Sequence, residues 1–211
     1  MKPVRHIVGI AIALVLVVTT TSAFIRLSQS GLSCRDRPAC DGAQVESPAT
    51  LPSESLEVSV ARAMHRIAAG AAGILFLVIA VLGWQRWRGD SRRVAAVALV
   101  VLAGLLAWLG KYAPSTLPAV MLGNLLGGMA LLGLLAWLWQ PDDRRSASPA
   151  RLRLWIMVGL ALAALQIALG AAMPITGLPV ALAVLHNALA SLVLIVLVSL
   201  LGRLGPWEKE P

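Results

Sequence analysis

Long apolar runs, separated by short polar segments, constrain this chain more than any other feature. An α-helix needs about 20 apolar residues to cross the hydrocarbon core of a bilayer, and runs near that length recur along the whole sequence. Hydrophobic residues make up 58% of the 211 residues and charged residues only 13%. A soluble domain would have too few charges to cover that much apolar surface. The sequence therefore predicts an all-α, polytopic transmembrane helix bundle.

Six membrane spans are predicted, of which the third is the shortest. They cover residues 7–27, 58–82, 94–109, 117–139, 154–173 and 179–201. The first run follows Lys2 and Arg5, and we expect a retained helix rather than a signal peptide, because its roughly 18 apolar residues are long for the hydrophobic region of a signal peptide. We expect a four-helix first half over residues 1–140, a cytoplasmic linker over 141–153 and a helix hairpin over 154–211.

The distribution of lysine and arginine predicts the orientation of the helices. Twelve of these residues fall in the segments on the side of both termini, and six fall on the opposite side. The positive-inside rule then places both termini in the cytoplasm and the long loop of residues 28–57 outside. In a bacterium this would be the inner (plasma) membrane, with the loop in the periplasm. Because most basic residues lie between apolar runs, the net charge of +8 does not indicate nucleic-acid binding.

Cys34 and Cys40 lie close together in the predicted outer loop. A bacterial periplasm is oxidising, and a disulfide across five intervening residues is geometrically reasonable. A structural disulfide is the favoured interpretation, a redox-active pair remains open, and metal binding by two cysteines alone is the least expected.

Four polar side chains lie inside the predicted spans, where an unpaired polar group is costly. They are His65, Asn124, Gln166 and His186. The predicted topology brings His65, Asn124 and His186 to a similar depth, near the outer side. Two imidazoles at one depth on different helices can bind a heme iron axially. The alternative is that each histidine makes a buried hydrogen bond between helices. His6 is expected to be interfacial.

Two arginines flank His65 within little more than one helical turn. Offsets of three and four residues place Arg62 on one face with His65 and Arg66. Arginines beside an iron-binding histidine can bind heme propionates through charge-assisted hydrogen bonds. Arginines near a helix end also extend to the membrane surface without any ligand, and both interpretations remain open.

Several motifs resemble those of heme A synthases. Residues 25–34 resemble the end of the first helix and the first outer loop of that family, and residues 34–42 resemble its cysteine loop. Met64-His65-Arg66 resembles the His-Arg motif at the start of its second helix. Residues 125–129 and 177–188 add weaker matches on the fourth and last helices, so the resemblance covers most of the chain.

The resemblance implies a heme-binding oxidoreductase. Family members usually have eight helices in two related halves, each with a histidine pair, and bind a heme b cofactor and a heme o substrate. They oxidise a heme methyl group to a formyl group, and the heme A formed goes to cytochrome oxidase. By resemblance, His65 and His186 are candidate iron ligands, Cys34 and Cys40 a disulfide over the site, and other candidate heme-binding residues are Arg26, Arg62, Arg66 and Asn124. The implied partners are membrane lipid, heme, heme o synthase or cytochrome oxidase assembly factors.

The chain departs from this pattern at three points. It has about six spans, and the missing part corresponds to the first hairpin of the second half. Asn124 replaces the histidine of the fourth helix, and Arg62 replaces a glutamate near the second-helix histidine. One histidine of each pair remains, so we predict a single heme between His65 and His186, with a homo-oligomer as a way to restore a second site.

Three functions remain open at this stage. The first is a heme A synthase-like oxidoreductase. The second is a non-catalytic heme-binding protein that carries electrons or assists oxidase assembly. The third is a structural membrane protein that has lost heme.

Overall fold

The prediction of an all-α bundle is confirmed. The computed structural model describes residues 2–33, 55–111, 118–140, 148–172 and 180–204. Within these ranges the chain forms helices and turns, without strands. The helices are α1 (Lys2–Ser33), α2 (Leu56–Arg86), α3 (Ser91–Gly110), α4 (Pro118–Leu138), α5 (Pro149–Ala172) and α6 (Val180–Leu204). Cys34, Cys40 and their predicted disulfide lie outside the described residues.

The helices have the length and composition of a multi-pass membrane protein. All of them except α4 are long and apolar enough to cross a membrane. α4 has 21 residues, and its described apolar stretch, Leu122–Leu138, is shorter than the other spans. α3 is the shortest of the described helices with 20 residues, as its sequence predicts. The cytoplasmic position of the termini stays a prediction.

Polar residues in the connections define where several helices begin. The Ser55 hydroxyl accepts a hydrogen bond from the Val58 amide at the start of α2, at 3.4 Å. Asp90 accepts one from the Arg92 amide at the start of α3, at 2.9 Å. Such caps satisfy amides that have no partner within the helix. Gly89 has a φ of 76° and reverses the chain between α2 and α3, a conformation that favours glycine.

The first four helices close into a ring around a common interior. α1 packs against α2 and α4, and α3 packs against the same two helices. α6 lies against both α1 and α4, and α5 packs on α6. α5 has no buried residue, so it forms the periphery of the described bundle.

The densest apolar core lies at one end of this ring, towards the turn between α2 and α3. Its buried members come from early positions of α1 and α3 and late positions of α2 and α4. They include Val8, Ala11, Val15, Phe76, Ile79, Leu99, Leu132 and Leu135. Because neighbouring helices of the ring are antiparallel, these positions share one end. The opposite end, where α2 begins, lies outside this core.

Candidate functional site

His65 lies on the buried face of α2, beyond the dense core. Val58, Ala61, Ala68 and Ala72 are buried on the same helix. With His65 they follow the spacing of three and four residues that defines one face of a helix. This orientation can be predicted from the sequence, because apolar and small residues at these spacings mark the face of α2 that packs against a neighbouring helix.

The His65 ring is held against the backbone of α1. Its Nδ1 lies 3.2 Å from the Val18 carbonyl oxygen and 3.4 Å from the Thr21 hydroxyl. The carbonyl can only accept a hydrogen bond, so Nδ1 carries the proton and donates it. The Thr21 hydroxyl lies 2.7 Å from the Val17 carbonyl oxygen, to which it donates, and it can therefore accept from the ring. In this tautomer Nε2 keeps its lone pair, as a metal ligand requires.

An apolar cleft of about 650 Å³ lies beside this histidine. It is formed where α1 ends and α2 begins, with one residue contributed by α6. Its lining residues are Thr20, Thr21, Phe24, Leu56, Glu57, Val60, Ala61, Met64 and Val184. Its volume is comparable to that of small-molecule sites, about 300–1,000 Å³. The cleft is largely open to its surroundings, and His65 is not among its lining residues. Thr21 belongs both to the cleft and to the contacts of His65, so a ligand in the cleft would lie next to the histidine.

His186 makes its hydrogen bond on another side of the bundle. Its Nε2 lies 3.0 Å from the side-chain nitrogen of Gln166 on α5. A hydrogen bond between two nitrogens needs the amide to donate, which leaves the proton of His186 on Nδ1. Gly170 of α5 gives the ring room, because a Cβ there would lie 3.2 Å from the His186 Cε1. The sequence predicts no partner for Gln166, and the structure shows that its side chain hydrogen-bonds to His186.

Two atoms of this pair are buried without a hydrogen-bond partner in the part of the chain that the structure describes. They are Nδ1 of His186 and Oε1 of Gln166. A buried polar atom without a partner costs free energy. The polar atoms at the α5–α6 contact therefore have fewer hydrogen-bond partners than those at the contact of His65 with α1.

The two histidines lie at a similar depth and hydrogen-bond to different helices. The Asn187 side chain donates to the Thr19 carbonyl oxygen at 3.4 Å, so His186 lies near the level of Val18 and Thr21, which hold His65. The His65 ring is directed at α1, whereas the His186 ring is directed at α5. An iron bound by Nε2 of His186 would require that nitrogen to leave Gln166. The single heme between them stays a prediction.

The remaining predicted site residues differ in exposure. Arg62 and Arg26 are partly buried, whereas Arg66 is exposed. The Arg26 Nε donates to the Ser22 carbonyl oxygen within α1, at 3.3 Å. Asn124 is partly buried on α4, and no hydrogen bond between described residues joins it to either histidine.

Comparison with known proteins identifies the family. A family model described as cytochrome oxidase assembly protein matches residues 5–174. The chain belongs to this family. The heme A synthase of Shewanella oneidensis is 27% identical to it over 177 residues, which cover 76% of this chain and 52% of that protein. The chain therefore spans about half the length of this relative.

The resemblance seen in the sequence motifs is thus confirmed. The residues matched by the cytochrome oxidase assembly family include the cysteine loop and the His65 motif. His186 lies beyond the matched residues. The family match therefore covers α1 to α5 almost completely and adds nothing on the histidine of α6.

Proposed function

We propose that this cytochrome oxidase assembly protein binds heme through His65 and acts in heme A synthesis. The observation that carries the proposal is the geometry of His65. Its Nδ1 is fixed by the Val18 carbonyl, at 3.2 Å, beside an apolar cleft. Metal-binding histidines are commonly oriented by a hydrogen bond from the other ring nitrogen to a backbone carbonyl or carboxylate. The similarity to a heme A synthase supports heme as the ligand.

The residues around the cleft fit an apolar macrocycle with acidic edges. Aliphatic and aromatic side chains would cover its faces, and Thr21 would keep the His65 ring in place. Arg26, Arg62 and Arg66 are the proposed partners of the propionates, because guanidinium groups bind carboxylates through charge-assisted hydrogen bonds. Heme b is the proposed cofactor, and when bound it would supply redox chemistry.

As an oxidoreductase, the chain would convert heme o to heme A. The resemblance places a glutamate near the second-helix histidine, but Arg62 stands there and cannot accept a proton. Glu57 is the acidic residue among those lining the cleft. We therefore propose Glu57, which is exposed at the start of α2, as the carboxylate that would accept a proton during substrate oxidation, with water from the open side of the cleft supplying the formyl oxygen.

Arg62 favours a second candidate function. A family member that has an arginine in place of the carboxylate would bind heme without converting it. It would then transfer electrons or hold heme during oxidase assembly. The two functions can be distinguished in cells that make both heme o and this protein. Heme A among the extracted pigments supports the oxidoreductase. A reversible heme redox signal without heme A supports the carrier.

Heme content of the purified protein tests the proposal directly. We expect about one heme per chain, which His65→Ala abolishes and His186→Ala retains. His6→Ala is the matched control, because His6 is exposed on α1. Loss of heme in both the His65 and His186 variants, with folding intact, would instead support one iron shared between them. Absence of heme from the wild type, even after reconstitution with heme b, would overturn the proposal.

A further inference from the structure

Arginine and tryptophan residues are concentrated where α2 leads into α3, far along the bundle from His65. Residues 84–93 contain four arginines, two tryptophans and one aspartate. The aspartate, Asp90, is used locally, because its side chain accepts hydrogen bonds from the Arg92 amide at 2.9 Å and the Ser91 hydroxyl at 3.3 Å. This turn therefore carries a net positive charge at the end of two membrane-spanning helices.

The Arg93 side chain is held on the indole ring of Trp84. Its guanidinium carbon lies 3.5 Å from the ring centroid, so the pair joins the first turn of α3 to the last turn of α2. At this distance the guanidinium must stack with its flat face on the ring, because an edge-on approach would bring its nitrogens too close. Stacking stabilises the cation and leaves the N–H groups in their plane, where they can bind a phosphate through two hydrogen bonds.

An exposed apolar strip extends from this pair towards the middle of the two helices. Val81 precedes Trp84 by three residues on α2 and is 70% exposed, and Val97 follows Arg93 by four residues on α3 and is 39% exposed. Residues at these offsets share one face of a helix. Because Arg93 contacts Trp84, the two faces lie side by side. The surface thus combines a cationic and aromatic head with an apolar body, at the end of a span where tryptophans usually meet the bilayer surface.

We propose that this surface binds an anionic phospholipid. The phosphodiester accepts the hydrogen bonds of the stacked Arg93 guanidinium, and the acyl chains lie on Val81 and Val97. Arg86 and Arg88 are exposed in the same turn and raise the positive potential that attracts the headgroup. Heme takes no part in this surface, so the proposal stands or fails independently of the proposed function.

Lipid binding to the purified protein in detergent tests the proposal, measured by native mass spectrometry with phosphatidylglycerol and with phosphatidylcholine. We expect tighter binding of phosphatidylglycerol by the wild type. Arg93→Gln should weaken it about fivefold, since one basic residue near an anionic membrane contributes about that much. Arg151→Gln is the matched control, because Arg151 is exposed at the start of α5 and its loss removes the same charge. This control should bind phosphatidylglycerol as the wild type does.

Two further variants separate a built site from general attraction between charges. Arg93→Lys keeps the charge without the planar donors, and Trp84→Leu keeps Arg93 without its stacking partner. Both should weaken phosphatidylglycerol binding at least twofold in folded, monodisperse protein. Equal weakening by Arg93→Gln and Arg151→Gln would overturn the proposal. Equal affinity of the wild type for the two lipids, which needs no variant, would also overturn it, as would displacement of phosphatidylglycerol by millimolar inorganic phosphate.

Discussion

At the scale of single residues, His65 and His186 differ in their hydrogen-bond partners. His65 has a backbone carbonyl and a hydroxyl at Nδ1. His186 has only the Gln166 amide, and its Nδ1 is buried without a partner among the described residues. A backbone carbonyl is fixed by its helix, whereas an amide side chain can rotate. His65 is therefore the more rigidly oriented ring, and His186 depends on one side chain.

Replacing Gln166 by leucine should weaken the contact between α5 and α6. Hydrogen bonds between membrane helices contribute about 0.6 kcal/mol on average, with a maximum near 1.7. We expect a loss of stability in that range, measured by unfolding in detergent and sodium dodecyl sulfate. His186→Leu is the second arm of the cycle, and in its presence Gln166→Leu should have almost no further effect. Additive losses would show that the two side chains are not coupled.

The sequence predicts His65 better than His186 for a physical reason. Polar and exposed residues such as Glu57 and Arg66 alternate with small buried ones on α2, and so they reveal the rotation of the helix. α6 is apolar on all sides, so its sequence does not show which face meets α5. The similar depth of the two histidines follows from span boundaries alone, and Asn187 agrees with it. Their separate directions depend on helix rotation, which only the packed structure gives.

At the scale of the helices, α6 joins the ring through a close contact with the end of α4. A Cβ at Gly202 would lie 2.8 Å from Cδ of Gln140. Gln140 is itself buried, and its side chain donates to the Ala136 carbonyl oxygen at 3.2 Å. Because both Gly202 and Gln140 are buried, neither can move away without disturbing its surroundings. This contact fixes how closely α6 approaches α4.

Gly202→Ala should therefore destabilise the protein despite the higher helix propensity of alanine. In an open helical position glycine is about 1 kcal/mol less favourable than alanine. Gly133→Ala is the matched control, because its Cβ would meet no atom within 4 Å. We expect thermal unfolding in detergent to show a lower midpoint for Gly202→Ala and an equal or higher midpoint for Gly133→Ala. An equal rise of the unfolding midpoint in both variants would mean that the Gln140 side chain moves aside without loss of stability.

At the scale of the whole molecule, packing density differs between the two ends. The buried core lies towards the turn between α2 and α3, whereas the cleft and His65 lie where α2 begins. A well-packed end gives the bundle its stability, and the looser end leaves space for a ligand. The excess of lysine and arginine at the packed end predicts that this end faces the cytoplasm.

Reporter fusions in a bacterial host test that orientation. Alkaline phosphatase is active only outside the cytoplasm, so we expect high activity for fusions within residues 112–117. Fusions in the turn at residues 87–90 should be inactive. A green fluorescent protein series at the same positions should give the opposite pattern. Active phosphatase at residues 87–90 would reverse the predicted topology.

The contacts of α1 also imply an order of events during synthesis. Thr19 and Thr21 bond to carbonyl oxygens of their own helix, Leu16 and Val17, so α1 can enter the bilayer with these hydroxyls already satisfied. His65 then reaches α1 across 47 residues of chain, and Asn187 reaches it across 168. The face of α1 that meets α6 is therefore covered only after α6 has been synthesised, whereas its contacts with α2 and α4 can form earlier.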